Sequence, residues 1–444
     1  MPRIPGHPLL GHLRTFNRER TEMLLRVGRE QPEIASLRFG FVPCAIVSSP
    51  AIAHEMLATK PHAFVKSPGL AIFMRPLLGN GLLSSEHEVH AKQRKLLAPV
   101  FAHKRIASYA ATMGERGARY ASSLVHGAEI DAADDMMKLT LEIVGKTLFD
   151  TELGADSADE VGDALTIAMK TAMAQLSSLV PLPPSVPTPT NLKNRKAVAR
   201  LDAILYRIIQ QRRAQGGDRG DLLSMLLATQ DESGAGMSDR QVRDEAMTLF
   251  LAGHETTANA MAWTLYLLAQ HAEVRERLEA ELDALGHDPS YEELRELPYT
   301  LAVLKESMRL YPPAYMLARR AIQDVELGGH RLRKHTIVIL NVLGIHRRPD
   351  TFPDPDRFDP TRFLGDAERS LPRCAYMPFG AGPRICIGNH FALMEGHVLL
   401  ATLARRVRLD LVGQADATME PLVTLRPKGG IRMRVSVREA GRSS

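Results

Sequence analysis

The stretch Phe379-Gly-Ala-Gly-Pro-Arg-Ile-Cys-Ile-Gly388 constrains this chain more than any other. Gly380, Gly382 and Pro383 dictate a tight turn that helix-forming residues cannot make. Cys386 follows the turn, and Gly388 opens the apolar stretch from Phe391 to Val407, which reads as a helix. A sulfur at a helix start gains from unpaired N–H groups and from the positive end of the dipole. Both favour the thiolate, so the loop is suited to present one cysteine, as the anion, to a metal. A structural cysteine beside a glycine turn is the plainer alternative, and the spacing has to displace it.

Length alone, 444 residues, favours two domains, but no stretch reads as a linker between separate cores. With 45% apolar and 24% charged residues the chain is an ordinary globular protein. Its net charge of +5 and the want of an interleaved basic and aromatic stripe argue against nucleic acid. Cys44, Cys374 and Cys386 make no disulfide framework and suit a reducing cytoplasm. The opening Met-Pro-Arg-Ile-Pro-Gly-His-Pro holds no apolar core of signal-peptide or membrane-span length, so no membrane anchor is expected.

Ser36–Phe39 and Cys44–Ser48 alternate with period two and predict a two-stranded ribbon. From Pro50 to Arg213 the pattern is mostly helical. It is broken by 181–190, whose five prolines cannot continue a helix; this is either a solvent-exposed loop or a lid. Ser238, with Gln241 three residues on, has a capping-box signature and opens a helix reaching about His271. The centre of that helix carries Gly253, His254, Glu255, Thr256, Thr257 and Asn259, a polar cluster no membrane span would hold. His254-Glu255 hints at a zinc helix, but Ala258 stands where the second histidine would have to be. Val325–Leu332, Thr336–Val342, Leu422–Leu425 and Ile431–Val437 read as strands, with Gly328-Gly329 as a turn. Glu306 and Arg309 lie on one helical face among Leu301, Val303, Leu304, Met308 and Leu310, which predicts a buried ion pair.

The pattern Phe-x-x-Gly-x-Arg-x-Cys-x-Gly resembles the haem-binding loop of the cytochromes P-450, whose iron is held by one cysteine thiolate. Ala252-Gly-His-Glu-Thr-Thr257 resembles that family's oxygen-activating stretch, and Glu306-x-x-Arg309 its Glu-x-x-Arg signature. The resemblance implies a mainly α fold with a minor β region, built as one catalytic domain over 1–444, with a long central helix over a buried haem. It implies Cys386 as the metal ligand, flanked by Phe379 and Gly388, and haem b as the cofactor. Thr256 would then hydrogen-bond the oxygen and hold a water, and Glu255 would connect that water to solvent. Gly253 would let oxygen and substrate approach the helix closely. His90 and Arg94, one turn apart, Arg384, and Arg319 or Arg320 become candidates for the haem carboxylates, with Arg319 favoured by its spacing to Asp324. Pro355-Asp-Arg357-Phe358 matches the later Pro-x-Arg-Phe segment, so Arg357 is the expected third member of the Glu306–Arg309 group.

The implied activity is a monooxygenase acting on an apolar substrate such as a fatty acid, terpenoid, steroid or macrolide-like compound. Phe73, Met74, Leu77, Leu249, Ala252, Tyr315 to Leu317 and Val423 would wall the pocket. No reductase segment is seen, so electrons would come from a ferredoxin- or flavodoxin-type partner. Lys92, Lys95, Lys104 and Arg105 are either its docking face or a solvated helix face. Two rival readings are a haem-thiolate isomerase or dehydratase and a non-catalytic haem sensor; the Glu255-Thr256 pair weighs against the first.

Overall fold

The computed structural model describes residues 1–152, 155–176, 178, 182–217, 219–229, 236–413 and 417–438. Helices dominate, and the axis of the molecule is the central helix Asp239–Gln270. Its 32 residues span about 48 Å at the α-helical rise. Ser238 caps it, accepting from the Gln241 N–H at 3.2 Å. The capping box is only half formed, because the Gln241 side chain turns forward to Glu245 Oε1 at 2.8 Å. Nearly the whole central helix is buried, which explains why it lacks a clean apolar stripe. Ala132–Phe149, Pro298–Leu310 and the cysteine helix Asn389–Arg406 pack around it in the main hydrophobic core. Trp263, fully buried, stacks on Tyr311 with ring centroids 4.0 Å apart and donates to the Leu425 carbonyl at 3.0 Å.

The largest sheet has five strands in the order Ile34–Phe39, Val42–Val47, Ile337–Leu340, Leu317–Ala321, Phe64–Lys66. The expected ribbon is present, and its second strand pairs in parallel with 337–340, Cys44 opposite Ile337. Strand 64–66 was hidden in a region of helical pattern; it runs antiparallel to 317–321, with Lys66 directly opposite Arg319. Val325–Leu327 and His330–Leu332 form the hairpin expected around Gly328-Gly329. Near the C-terminus the strands are Met419–Pro421 and Leu425–Pro427, a hairpin, and Arg432–Val437. Ala155–Leu176, termed the roof helix, packs against Pro189–Gln215. Pro189 occupies the first turn of that second helix, where a missing N–H does no harm. Thus the last of the five prolines starts a helix, while Pro181 lies outside the described residues.

Among the described residues, no helix is long and apolar enough to cross a membrane.

Candidate active site

Gly380 (φ 72°) and Gly382 (φ 70°) both lie in the left-handed region. A Cβ on Gly382 would sit 2.0 Å from the carbonyl oxygen of Leu57, so no other residue fits there. The Cys386 N–H then donates to the Phe379 carbonyl at 2.9 Å, closing the loop two residues before the Gly388 cap. Cys386 is exposed in this structure. Burial pushes its thiol up, against the Gly388 N–H and the charge of Arg94, which pull it down. The Gly388 N–H and Arg94 thus favour the thiolate while burial opposes it.

Beside this loop the structure gathers a group of cations. His90 and Arg94 come from helix His87–Leu97, Arg319 from the sheet, Arg384 from the cysteine loop. Arg94 donates to the Ile385 carbonyl at 2.7 Å, tying its helix to the residue before the cysteine. Lys66, absent from the sequence-based candidates, joins them from the strand opposite Arg319. Its Nζ donates to the carbonyls of Ser85 (2.8 Å) and Leu82 (3.1 Å). Arg384 donates to the same Ser85 carbonyl at 2.8 Å and pairs with Glu86. Burial, with the charge of Arg384, drives Lys66 down to about 7. Burial and the charges of Arg384, Lys66, Arg94 and Arg319 drive His90 down to about 4. Glu86 is the ion-pair partner here, while Glu245, the next carboxylate, is itself pushed up to about 7 by burial. Glu86 pairs with Arg384, whereas His90 is held neutral and Arg94 and Arg319 find only carbonyl partners, so a ligand carrying two carboxylates would give these donors the acceptors they want. Arg319 reaches this cluster through Lys66 rather than through Asp324, which binds Arg331 and the Lys334 N–H.

On the central helix, Thr256 donates its hydroxyl hydrogen to the Ala252 carbonyl one turn back at 2.8 Å, which leaves its lone pairs free to accept. Glu255 is 1% exposed. Its Oε1 accepts from Thr424 Oγ1 at 2.5 Å and from Arg426 at 2.9 Å (Nε) and 2.8 Å (Nη2). Neither partner was legible as such, since they lie about 170 residues further along, the separations being 169 and 171. Gly253 serves another purpose than the one expected: a Cβ there would come within 3.0 Å of Val144, so its missing side chain lets helix Ala132–Phe149 pack against the central helix. His254 is buried and bonded to the Phe250 carbonyl at 2.9 Å, and burial pulls its imidazole down, as for a core residue. Glu395 on the cysteine helix is fully buried, and burial pushes it up to about 8 against the opposing influence of the Thr257 hydroxyl.

Glu306 and Arg309 are both 0% exposed and joined by two bonds, Nε to Oε2 at 2.6 Å and Nη2 to Oε1 at 2.8 Å. The remaining donors of Arg309 go to the carbonyls of His346 (2.8 Å), Pro355 (2.7 Å) and Arg357 (3.1 Å). The expected third member, Arg357, contributes that carbonyl only, and its side chain is exposed. The cation beside Glu306 is Arg362, 3.5 Å away. The Pro-x-Arg-Phe pattern occurs twice, at 355–358 and 360–363, and the second copy is the one whose arginine turns inward.

Of the expected pocket wall, Phe73, Ala252, Met316, Leu317 and Val423 are partly accessible. Met74, Leu77, Leu249 and Tyr315 are core, Tyr315 spending its hydroxyl on the Leu422 carbonyl at 2.8 Å. Lys92 and Lys95 are exposed, the Lys104 side chain lies outside the described residues, and Arg105 turns to the Gly220 carbonyl.

The cytochrome P450 family model matches residues 2–433. Cyclooctat-9-en-7-ol 5-monooxygenase of Streptomyces melanosporofaciens is 36% identical over 91% of this chain and 88% of its own length. Pentalenene oxygenase of Streptomyces avermitilis is 30% identical, covering 98% and 96%. The crystal structure of the cytochrome P450DA haem domain superposes with a TM-score of 0.89 at 29% identity, covering 99% of this chain and 98% of that one.

Proposed function

This chain belongs to the cytochrome P450 family, the haem-thiolate oxidoreductases that incorporate molecular oxygen, and we propose that it hydroxylates a cyclic terpenoid or a similar polycyclic hydrocarbon. The names of its relatives support that substrate class over a fatty acid, and the apolar side chains of Phe73, Met316, Leu317 and Val423 suit it. Haem b, bound through the Cys386 thiolate, supplies dioxygen activation. Lys66, His90, Arg94, Arg319 and Arg384 hold its two carboxylates, and Phe379 and Gly388 frame the sulfur. The observation that carries this assignment is the gathering of Lys66, His90, Arg94, Arg319 and Arg384, with Glu86 paired to Arg384, beside the loop of the exposed Cys386. Thr256, its hydroxyl hydrogen on the Ala252 carbonyl, accepts from a water in the pocket, and Glu255 passes protons to that water from the solvent side. Electrons come from a ferredoxin- or flavodoxin-type donor, and the whole chain works as a single cytoplasmic catalytic domain.

Two experiments test the reading. Cyclic terpenes and chain-like acids, titrated into the holoprotein, should displace water and shift the Soret band for the cyclic compounds; a shift with the acids alone overturns the substrate class. Thr256→Ala should keep haem and substrate binding while product per electron falls about tenfold or more in favour of peroxide. An unchanged ratio would remove Thr256 from the relay.

A further inference from the structure

We propose that Arg426 is a positioning residue for Glu255 and that it couples this acid to the roof helix Ala155–Leu176. The inference rests on the relay reading above and adds a residue and a control to it. Arg426 lies in the strand Leu425–Pro427 and uses the two faces of its guanidinium differently. One edge, Nε and Nη2, grips Glu255 Oε1 at 2.9 and 2.8 Å. The remaining Nη1 stands 3.5 Å from Thr166 Oγ1 on the roof helix, and the shared Nη2 lies 3.9 Å from the Met169 sulfur. Thr166 and Met169 are three residues apart and so share one face of that helix.

One turn further along the same face, the Met173 sulfur accepts from Arg20 at 3.2 Å. Arg20 also donates to the Pro421 carbonyl at 2.7 Å, in the strand that pairs with the one holding Arg426. The roof helix is therefore seated on the C-terminal hairpin by two arginines.

The bonds within this joint are unequal. Those to Glu255 are short and charge-assisted, whereas those to Thr166 and Met169 are long and weak. Glu255 thus fixes the guanidinium, and the fixed guanidinium offers the roof a seat. Any displacement of this helix from the hairpin would cost Arg426 its long, weak outer contacts before its bonds to Glu255. Its side chain, 14% exposed, is then free to move off the 2%-exposed side chain of Glu255 and let solvent protons reach the carboxylate. Seating of the roof and sealing of the acid become one event.

The test is amide hydrogen exchange of the roof helix in substrate-free holoprotein, a measurement that needs no turnover. Glu255→Gln leaves the shape and removes the charge that fixes Arg426. It should speed exchange over residues 162–173 by about three- to tenfold, as should Arg426→Met. Arg426→Lys, which keeps a cation, should restore slower exchange and part of the product per electron lost in Arg426→Met. If Glu255→Gln leaves roof exchange unchanged, Arg426 is only packing and the coupling is overturned, whether or not Arg426→Met folds. If Glu255→Gln leaves product per electron unchanged, the relay reading falls instead, so the two fail separately.

Discussion

The Glu306–Arg309 knot and the cradle of Lys66, His90, Arg94, Arg319 and Arg384 both turn basic side chains inward, and they are completed in opposite ways. In the knot, the carboxylate and the guanidinium are fully buried, and three backbone carbonyls take the remaining donors of Arg309. Burial raises Glu306, and Arg309 opposes the rise. Nothing is left for a ligand to satisfy. In the cradle, Glu86 answers one arginine while burial and mutual repulsion push Lys66 and His90 down. The difference separates charge that holds the fold from charge that waits for a partner.

The sharpest way to break this contrast is to cut the knot. Arg309→Met leaves Glu306 buried with only the more distant Arg362 and the Asp359 N–H to answer it, and should remove about 3–5 kcal/mol of stability, read by denaturant unfolding, with little haem protein recovered. A loss under 1 kcal/mol would show that the knot is as incomplete as the cradle. Next comes the cradle itself. Lys66→Met and Arg319→Met should each weaken haem retention about tenfold, measured as transfer to a haem acceptor, without lowering the stability of the haem-free protein. Loss of haem-free stability instead would place these cations in the fold.

The sign of the pH effect sharpens the point. Lys66 falls from its ordinary value of 10.5 to about 7 in the folded protein. Between those values the unfolded chain binds a proton that the folded haem-free chain does not, so its stability should rise with pH across that window. Lys66→Met should flatten this slope and gain at least about 1 kcal/mol over wild type at pH 7, an advantage that fades toward pH 10. The smallest effects separate the two Pro-x-Arg-Phe copies. Arg362→Ala should cost about 1 kcal/mol and Arg357→Ala less than about 0.5 kcal/mol, since only the former side chain faces Glu306. Equal losses would put both arginines in the knot.

What could be read from the chain was whatever lies within a few turns. The cysteine loop, the acid and alcohol of the central helix and the i,i+3 pair at Glu306 are contiguous, and each arrives with its own geometry. What could not be read is the work of distant pairings. Lys66 joins the cradle only because its strand lies against Arg319, and Arg426 meets Glu255 across 171 residues. Arg357 was the wrong choice because two identical patterns stand five residues apart, and only packing decides between them. Gly253 misled for a related reason: a glycine marks a close approach without saying to what, and here the neighbour is Val144.

The contact between Gly382 and the Leu57 carbonyl also bears on how the protein is made. The cysteine loop rests on a segment that leaves the ribosome some 300 residues before it (57 against 382), and Arg94 and Lys66 come from that same early part. During synthesis at ~5–20 residues per second, the early half therefore waits tens of seconds without the sulfur or its seat. A nascent chain has nowhere to lodge the iron. A product cut short before residue 382 lacks both the loop and its rest on Leu57, and is therefore expected to retain no haem.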